Sequence, residues 1–222
     1  GGTASQERLA AFQGGLVDVA MLSHEEWKTL KTSDPSANSV ISRHAGTGVA
    51  FSMNVQAAAL NRISVRRAIL KSMDPWDYID TIWSGQGFVS TGIPVQDSDW
   101  LLGRHGMRTR HFADPGAARE LLAASGLPEP VDIELTVRTE WQAEPYLDLA
   151  ESIADDLRQI GFNPSIRRMN PIQFSEAVLT HQDYELAVGV LPPTSTTSSF
   201  LMALLHSQGR WNVTGHQDSM LD

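Results

Sequence analysis

Apolar and polar positions follow two alternating patterns along the chain. Ile133, Leu135 and Val137 alternate with polar residues, which predicts a half-buried β-strand. The largely apolar run Leu16–Met21 predicts a buried strand. Similar but shorter patterns predict further strands at Val49–Met53, around Ile166 and at Leu186–Val188.

Helices are predicted where apolar residues recur at intervals of three and four. Ser23 and Glu26 have the spacing of a capping box, and Asp74-Pro75 and Asp114-Pro115 each pair a capping residue with a first-turn proline. Residues 86–111 show little periodicity, so a long loop is predicted there. The first predicted helix begins at Ser5 and ends at Gly14-Gly15, and another carries Val65–Met73. A longer helix is predicted from Pro145 to near Gly161, and the next begins at Asn170-Pro171. The last predicted helix covers Phe200–Leu205, after a polar loop at Pro192–Ser199.

This alternation of strands and helices indicates an α/β fold in which helices flank a mixed sheet. No linker or shift in composition divides the chain, so we predict a single α/β lobe over residues 1–222. Gly1-Gly2 and Ser219–Asp222 are not typical of natural termini, and we expect the chain to be a piece of a longer protein.

Composition excludes several classes of function. The chain has 222 residues with a formal net charge of −9, which argues against direct binding of nucleic acid. It contains no cysteine, which excludes disulfides, thiol catalysis and cysteine-ligated metals. The seven histidines lack the spacing of a metal site. We therefore predict no metal and no other cofactor.

Catalytic motifs are also missing from the sequence. There is no phosphate-binding G-x-x-x-x-G-K-[ST] loop and no G-x-S-x-G nucleophile turn. Thr194–Ser199 is rich in hydroxyl groups, but no base lies near it in sequence. We predict that the protein is not an enzyme. A hydrolase that uses Ser195 and Ser198 is the third and weakest hypothesis.

Several phrases, in order along the chain, resemble the peptide/nickel-binding solute-binding proteins (family 5) that serve ABC transporters. Val65–Ile69 followed by Met73-Asp74 resembles the family's helix signature, and Tyr184–Leu186 resembles a short strand phrase. Further phrases that resemble the family are Gly14–Asp18, Phe51–Asn54, Gly85–Pro94, Ala117–Gly126 and Ala150–Gly161. Together they extend over about residues 5–221.

The resemblance implies a two-lobed receptor of the periplasmic-binding-protein-like (type II) fold, of which this chain would be most of the C-terminal lobe. The missing N-terminal lobe would close over a small polar solute, an oligopeptide or another compound, for delivery to an ABC permease in the membrane. The protein would be exported, as a periplasmic protein or a cell-surface lipoprotein. A second hypothesis is the ligand-sensing domain of a cytoplasmic transcriptional regulator, which a DNA-binding segment before Gly1 would favour.

If the resemblance holds, the loops at the strand ends supply the ligand contacts. Arg138 suits a carboxylate or phosphate, and a tryptophan offers a flat apolar face. Each candidate also has a structural alternative: a surface arginine, an ordinary exposed turn, or a tryptophan that packs in the core. The predicted ligand-binding residues are Arg138, Trp141, Gln142, Thr194, Ser195, Thr196, Trp211 and Asn212.

The loop Leu191–Thr197 bears on the choice of solute. Peptide-binding members of the family commonly carry an acidic residue there, which holds the peptide's ammonium group. This loop contains none. The ammonium would lack its charge partner, which favours a neutral polar solute over a peptide.

Overall fold

A computed structural model describes residues 4–40, 48–90, 102–139, 145–190, 197–220 and 222. The described residues belong to two compact units. We call described residues 4–40 the N-terminal unit and those from residue 48 onward the sheet unit. That residues 1–222 form a single lobe stays a prediction.

The N-terminal unit contains helices α1 (Ala4–Gln13) and α2 (His24–Ser33). Helix α2 begins with the predicted capping box: the Ser23 hydroxyl accepts from the Glu26 amide at 3.3 Å, and a Glu26 carboxylate oxygen accepts from the Ser23 amide at 2.6 Å. The prediction that Ser5 caps α1 is wrong, because the helix begins one residue earlier.

The prediction of a buried strand at Leu16–Met21 is wrong. The segment is neither helical nor paired, and Val19 and Met21 are 83% and 88% exposed. A β-strand is stable only when another strand satisfies its backbone groups, and the described part of the N-terminal unit contains no strand. The apolar run therefore has no partner among the described residues.

The strands of the sheet unit are β1 (Val49–Met53), β2 (Val131–Arg138), β3 (Phe162–Met169) and β4 (Leu186–Val190). They form a mixed sheet in the order β1-β4-β2-β3, with β4 and β2 central. Strand β2 is parallel to both β3 and β4, and β1 is antiparallel to β4. This confirms the predicted fold class, a mixed sheet flanked by helices.

The helices of the sheet unit largely follow the predictions, with one omission. Helix α5 (Arg104–His111) lies within the predicted long loop. It was not predicted because its sequence offers little apolar periodicity and Met107 is its one buried residue. The described helices are α3 (Ile63–Ser72), α4 (Pro75–Ile82), α5 (Arg104–His111), α6 (Pro115–Ala123), α7 (Tyr146–Gln159), α8 (Pro171–Phe174), which continues as a π-helix (Ser175–His181), and α9 (Thr197–Leu204).

Two further details concern these helices. Helix α9 begins at Thr197, so the predicted polar loop at Pro192–Ser199 is helical in its last residues. Within the described ranges, every helix is too short or too polar to cross a lipid bilayer.

The main core lies on one face of the sheet, where helices α3, α6 and α7 cover the strands. Leu135 of β2 and Leu186 of β4 are fully buried there. Strand β2 presents the polar residues Asp132, Glu134 and Thr136 to the other face, which accounts for its alternating sequence. The fully buried aliphatic side chains from the helices include Val65, Ile69, Leu122, Ile153 and Leu157.

A smaller core lies on the opposite face, beneath helix α8 and the π-helix. Phe174 at the end of α8 lies directly over Gly189 in β4. A Cβ atom at position 189 would come within 2.8 Å of Phe174 Cε1 and closer still to Cζ, so only glycine fits beneath the ring.

Asn54 ties the end of β1 to the start of β4. Its side-chain nitrogen donates to the carbonyls of Gln182 at 2.9 Å and Tyr184 at 3.0 Å, and its side-chain oxygen accepts from the Gln56 amide at 3.0 Å. Its backbone amide donates to the Glu185 carbonyl at 2.9 Å. The residue is only 6% exposed, so these bonds replace contacts with water.

A partly buried hydrogen bond joins α4 to α7, in which the Tyr78 hydroxyl donates to the Asp156 carboxylate. Burial raises the pKa of the Asp156 carboxyl above its ordinary value of 3.8, and the charges of Asp155, Asp74 and Asp77 raise it further, while the Tyr78 bond lowers it. Burial and the same bond raise the pKa of Tyr78. The charged form of Asp156 is therefore disfavoured in the folded protein.

We expect Asp156→Asn to change the pH dependence of stability. A carboxyl whose pKa is higher in the folded state stabilises the fold below its unfolded pKa, and that contribution is lost as the pH rises through the folded value. The free energy of unfolding of the wild type, relative to the variant, should fall as the pH is raised above about 4 and through the higher folded pKa. Denaturant titrations across this range measure it.

Asp148→Asn is the matched control, because that carboxylate is exposed on the same helix and is not among the charges that raise the pKa of Asp156. A relative stability of wild type and Asp156→Asn that is constant across the range would contradict the prediction.

Candidate ligand-binding site

Three parallel strands end at one edge of the sheet, which we call the carboxyl edge. Arg138 ends β2, Met169 ends β3 and Val190 ends β4. Strand β1 begins at the same edge, where Val49 pairs with Val190. In open α/β sheets, ligands bind in the crevice outside the carboxyl ends of the strands, so this edge is the candidate site.

Arg138 is half-buried at the carboxyl edge, opposite Met169 in the register of β2 and β3. The next residue fixes the strand end: the Thr139 amide donates to the Met169 carbonyl at 2.7 Å, and its hydroxyl donates to the same oxygen at 3.1 Å. A guanidinium held on a firm strand end can recognise a carboxylate or phosphate through two parallel hydrogen bonds.

The predicted residues Trp141, Gln142, Thr194, Ser195 and Thr196 lie outside the described residues. The strands that precede these two segments, β2 and β4, are hydrogen-bonded neighbours. The chain therefore enters both predicted segments from the carboxyl edge, beside Arg138.

Trp211 and Asn212 lie at the opposite edge, where β2 and β4 begin, which we call the amino edge. The Asn212 carbonyl accepts from the Gln182 side chain at 2.9 Å, and the next carbonyl, of Val213, accepts from the Tyr184 hydroxyl at 2.8 Å. Strand β4 has five residues, and at about 3.3 Å per residue the two edges are about 13 Å apart. The structure thus does not bring these two residues together with Arg138.

The side-chain amide of Asn212 organises its own loop. It donates to the carbonyls of His206 at 3.1 Å and His216 at 2.6 Å, and it accepts from the Thr214 hydroxyl and the His216 amide, both at 3.1 Å. The residue is 7% exposed. A ligand that contacts this amide would have to displace one of these bonds.

The Trp211 ring is half-buried, and the guanidinium of Arg210 lies 5.0 Å from its centroid. This is the distance of a cation–π contact, so a neighbour in sequence already covers one face of the ring. Stacking of a ligand would be confined to the other face.

Sequence reasoning missed an open polar depression of about 460 Å³ near the amino edge. Glu134, Arg167, Asp183 and Glu185 supply its charged groups. The alternation in β2 places Glu134 on the polar face, but nothing in the sequence links it to residues about 50 positions later. Its remaining lining residues are Asn54, Gln56, Ala57, Gln182 and Tyr184.

Contacts within the depression already pair most of its charges. Arg167 Nη1 lies 3.2 Å from Glu134 Oε1 and 3.6 Å from Asp183 Oδ2. A Glu185 carboxylate oxygen accepts from the Glu134 amide at 2.7 Å. Among the described residues, no group of three or more histidine or acidic side chains is arranged to hold a metal ion. The carboxyl edge therefore remains the better candidate for a ligand site.

A known sequence family matches most of the chain. The family described as "Bacterial extracellular solute-binding proteins, family 5 Middle" matches residues 3–212. No curated protein matches the chain.

Solved structures share the fold at low sequence identity. The ABC transporter substrate-binding protein CtaP of Listeria monocytogenes superposes with a TM-score of 0.82 at 14% identity, covering 97% of this chain and 43% of that one. The oligopeptide-binding protein AppA of Bacillus subtilis, solved with a nonapeptide, gives a TM-score of 0.76 at 15% identity, covering 97% and 45%. NikZ of Campylobacter jejuni, solved with Ni(L-His), gives a TM-score of 0.71 at 14% identity, covering 97% of this chain and 45% of that one.

The chain spans less than half the length of each of these structures. Their identities are low, so they establish the fold, which is that of periplasmic binding proteins of type II. The family match extends over most of the chain. On that ground, the chain belongs to the bacterial extracellular solute-binding proteins of family 5.

Proposed function

We propose that the full-length protein is the solute-binding component of an ABC importer, which captures a small polar solute between two lobes and delivers it to a membrane permease. The observation that carries this proposal is the family match over residues 3–212. The shared fold with AppA, solved with a nonapeptide, and with NikZ, solved with Ni(L-His), supports it.

The carboxyl edge is this chain's proposed share of the binding site. Arg138 would receive an anionic group of the solute, and the segments with Trp141, Gln142 and Thr194–Thr196 would add apolar and hydroxyl contacts. A site between two lobes draws binding free energy from both of them. One lobe alone should therefore bind the solute weakly.

The same proposal places the protein outside the cytoplasm and assigns it no catalytic reaction, in line with a family of extracellular binding proteins. Its macromolecular partner would be the permease. Nothing in the described part of the chain favours the alternative of a transcriptional regulator.

We expect calorimetry on the full-length protein to detect binding of at least one polar solute of a panel, whether that solute is neutral or carries a carboxylate. The panel is short peptides, Ni(L-His) and a neutral oligosaccharide. Arg138→Met should weaken binding of the carboxylate-bearing solute by about tenfold or more, because a charge-assisted hydrogen bond is lost.

Arg168→Met is the matched control. Arg168 lies next to the carboxyl edge on β3, but it is exposed and its nearest acidic partner, Glu151, is 3.6 Å away. Failure to bind any member of the panel would contradict the proposed function. Equal affinities of the two variants would contradict only the assignment of Arg138.

A further inference from the structure

Two stretches of the chain carry basic residues and no acidic ones. Arg62–Met73 contains helix α3, and Leu102–Ala113 contains helix α5. Together they hold seven of the chain's 17 lysine and arginine residues and none of its 26 aspartate and glutamate residues. In a chain with a net charge of −9, this is a pronounced segregation of charge. The seven basic residues are Arg62, Arg66, Arg67, Lys71, Arg104, Arg108 and Arg110.

The fold brings the ends of these two stretches side by side. The Ala113 amide donates to the Met73 carbonyl at 2.9 Å, and the Asp114 amide donates to the Lys71 carbonyl at 2.7 Å. Leu70 of α3 also packs against the apolar cluster that holds α5. Basic residues that are far apart in sequence therefore lie on one surface of the sheet unit.

Helix α5 is attached through a small number of apolar side chains. Met107 and Phe112 are buried against Trp76 of α4, and the Trp76 and Phe112 rings meet edge to face with their centroids 5.7 Å apart. Because Met107 is the one buried residue of α5, the arginines of this helix remain exposed. Arg67 is likewise exposed, one turn before Lys71 on α3. We call the following five residues the basic surface: Arg67, Lys71, Arg104, Arg108 and Arg110.

Two acidic residues border the basic surface and link its two helices. Asp74 follows the first stretch and pairs with Arg108 of the second. Asp114 follows the second stretch, and its Oδ2 atom lies 3.7 Å from Lys71 Nζ of the first. These crossed pairs hold α5 against the end of α3, and they compensate two of the five positive charges.

The other three cations of the basic surface have no acidic partner among the residues that the structure describes. The guanidinium groups of Arg67 and Arg110 are exposed and form no ion pair there. The Arg104 guanidinium lies 5.8 Å from the centroid of the Trp76 ring, which leaves its positive charge uncompensated. These three groups can therefore bind an external anion without first breaking an internal ion pair.

The chemistry of the basic surface favours a layer of anions over a shaped protein interface. A protein interface has a central apolar or aromatic patch, but the rings here, Trp76 and Phe112, are only 8% and 7% exposed. Leu102, directly before α5, is 44% exposed beside the cations. A cluster of four or more basic side chains with an apolar side chain next to it is typical of segments that bind anionic lipid headgroups.

We propose that the basic surface binds the anionic phospholipid headgroups at the outer face of a membrane. This inference rests on the proposed function only in that both place the protein beside a membrane, and it assumes nothing about the solute. A chain with a net charge of −9 is repelled by an anionic bilayer. The basic surface would therefore determine which side of the sheet unit approaches the lipid.

Sedimentation with lipid vesicles tests the proposal. The full-length protein is produced in the cytoplasm of an expression host, so that it carries no lipid. It should bind vesicles made of equal parts of phosphatidylglycerol and phosphatidylcholine, and binding should weaken as salt shortens the screening length from about 10 Å at 0.1 M to about 3 Å at 1 M. No binding to these vesicles, or equal binding to pure phosphatidylcholine, would overturn the proposal.

A pair of double variants tests the assignment of the surface. Arg104→Gln/Arg110→Gln should lower the affinity for anionic vesicles by about tenfold or more, because each basic residue near an anionic surface contributes about fivefold. Arg158→Gln/Arg168→Gln is the matched control, since it removes the same charge from exposed positions on α7 and β3. An equal loss in the two variants would show that net charge alone sets the affinity, and would overturn the proposal.

Polyglutamate is the probe for an acidic protein as the partner. Binding of polyglutamate without binding of anionic vesicles, lost in Arg104→Gln/Arg110→Gln, would overturn the proposal in favour of such a protein. No solute enters these assays. Their failure would therefore leave the proposed function standing, and failure of the calorimetric panel would leave the lipid assay to be judged on its own result.

Discussion

Leu135→Ala is expected to lower the free energy of unfolding by about 3 kcal/mol. Leu135 is fully buried in β2, where strands β3 and β4 pair on either side. Truncation removes apolar contacts and leaves a cavity, because helices α3 and α7 are held by many other side chains and cannot collapse into it. Denaturant unfolding followed by circular dichroism measures the loss.

Leu102→Ala is the matched control for that experiment. Leu102 is 44% exposed, so the same truncation should change stability by less than about 0.5 kcal/mol. Equal losses for the two variants would show that β2 does not form the centre of the core.

Asn54→Asp is expected to lower the free energy of unfolding by about 3 kcal/mol near neutral pH, although the two side chains have nearly the same volume. The amide nitrogen that donates to the carbonyls of Gln182 and Tyr184 is replaced by an oxygen that cannot donate when ionised. A buried negative charge would then face two carbonyl oxygens. Both urea titration and thermal unfolding would show the loss.

The pH dependence separates this cause from a general loss of packing. A carboxyl in this position is disfavoured as a charge, so its pKa in the folded variant should exceed the unfolded value of about 3.9. The deficit relative to wild type should shrink as the pH falls through this raised folded pKa, where the acid can donate again, and should change no further below about 4.

Asn61→Asp is the control for this variant, because Asn61 is exposed and should tolerate the change within about 0.5 kcal/mol. A deficit for Asn54→Asp that does not vary with pH would show that the buried negative charge is not its cause.

Local sequence patterns predicted most elements of the sheet unit, because their signals are short-range. The alternation at Ile133–Val137 and the caps at Asp114 and Asn170 depend on neighbouring residues alone, and the structure has the predicted strand and helices. Helix α5 was missed because its burial depends on a single apolar side chain, Met107. The strand at Leu16–Met21 was predicted wrongly because pairing requires a partner that local sequence cannot specify.

The candidate site shows the same division between local and long-range information. That Arg138 ends a strand could be inferred from the alternation before it. That Trp211 and Asn212 lie at the other edge could not, because it follows from the strand order β1-β4-β2-β3 and from bonds to Gln182 and Tyr184. The polar depression was missed for the same reason, since its charged residues come from strands β2 and β3 and from the turn that precedes β4.

The close approach of Phe174 to Gly189 has a consequence for natural variation. Any side chain at position 189 would overlap the ring, so glycine should persist in every homologue with an aromatic residue at position 174. A bulkier residue at 189 should appear only together with a smaller one at 174. Substitutions at these two positions, which are fifteen residues apart in the chain, are therefore expected to occur together, whereas neighbouring positions are expected to vary independently.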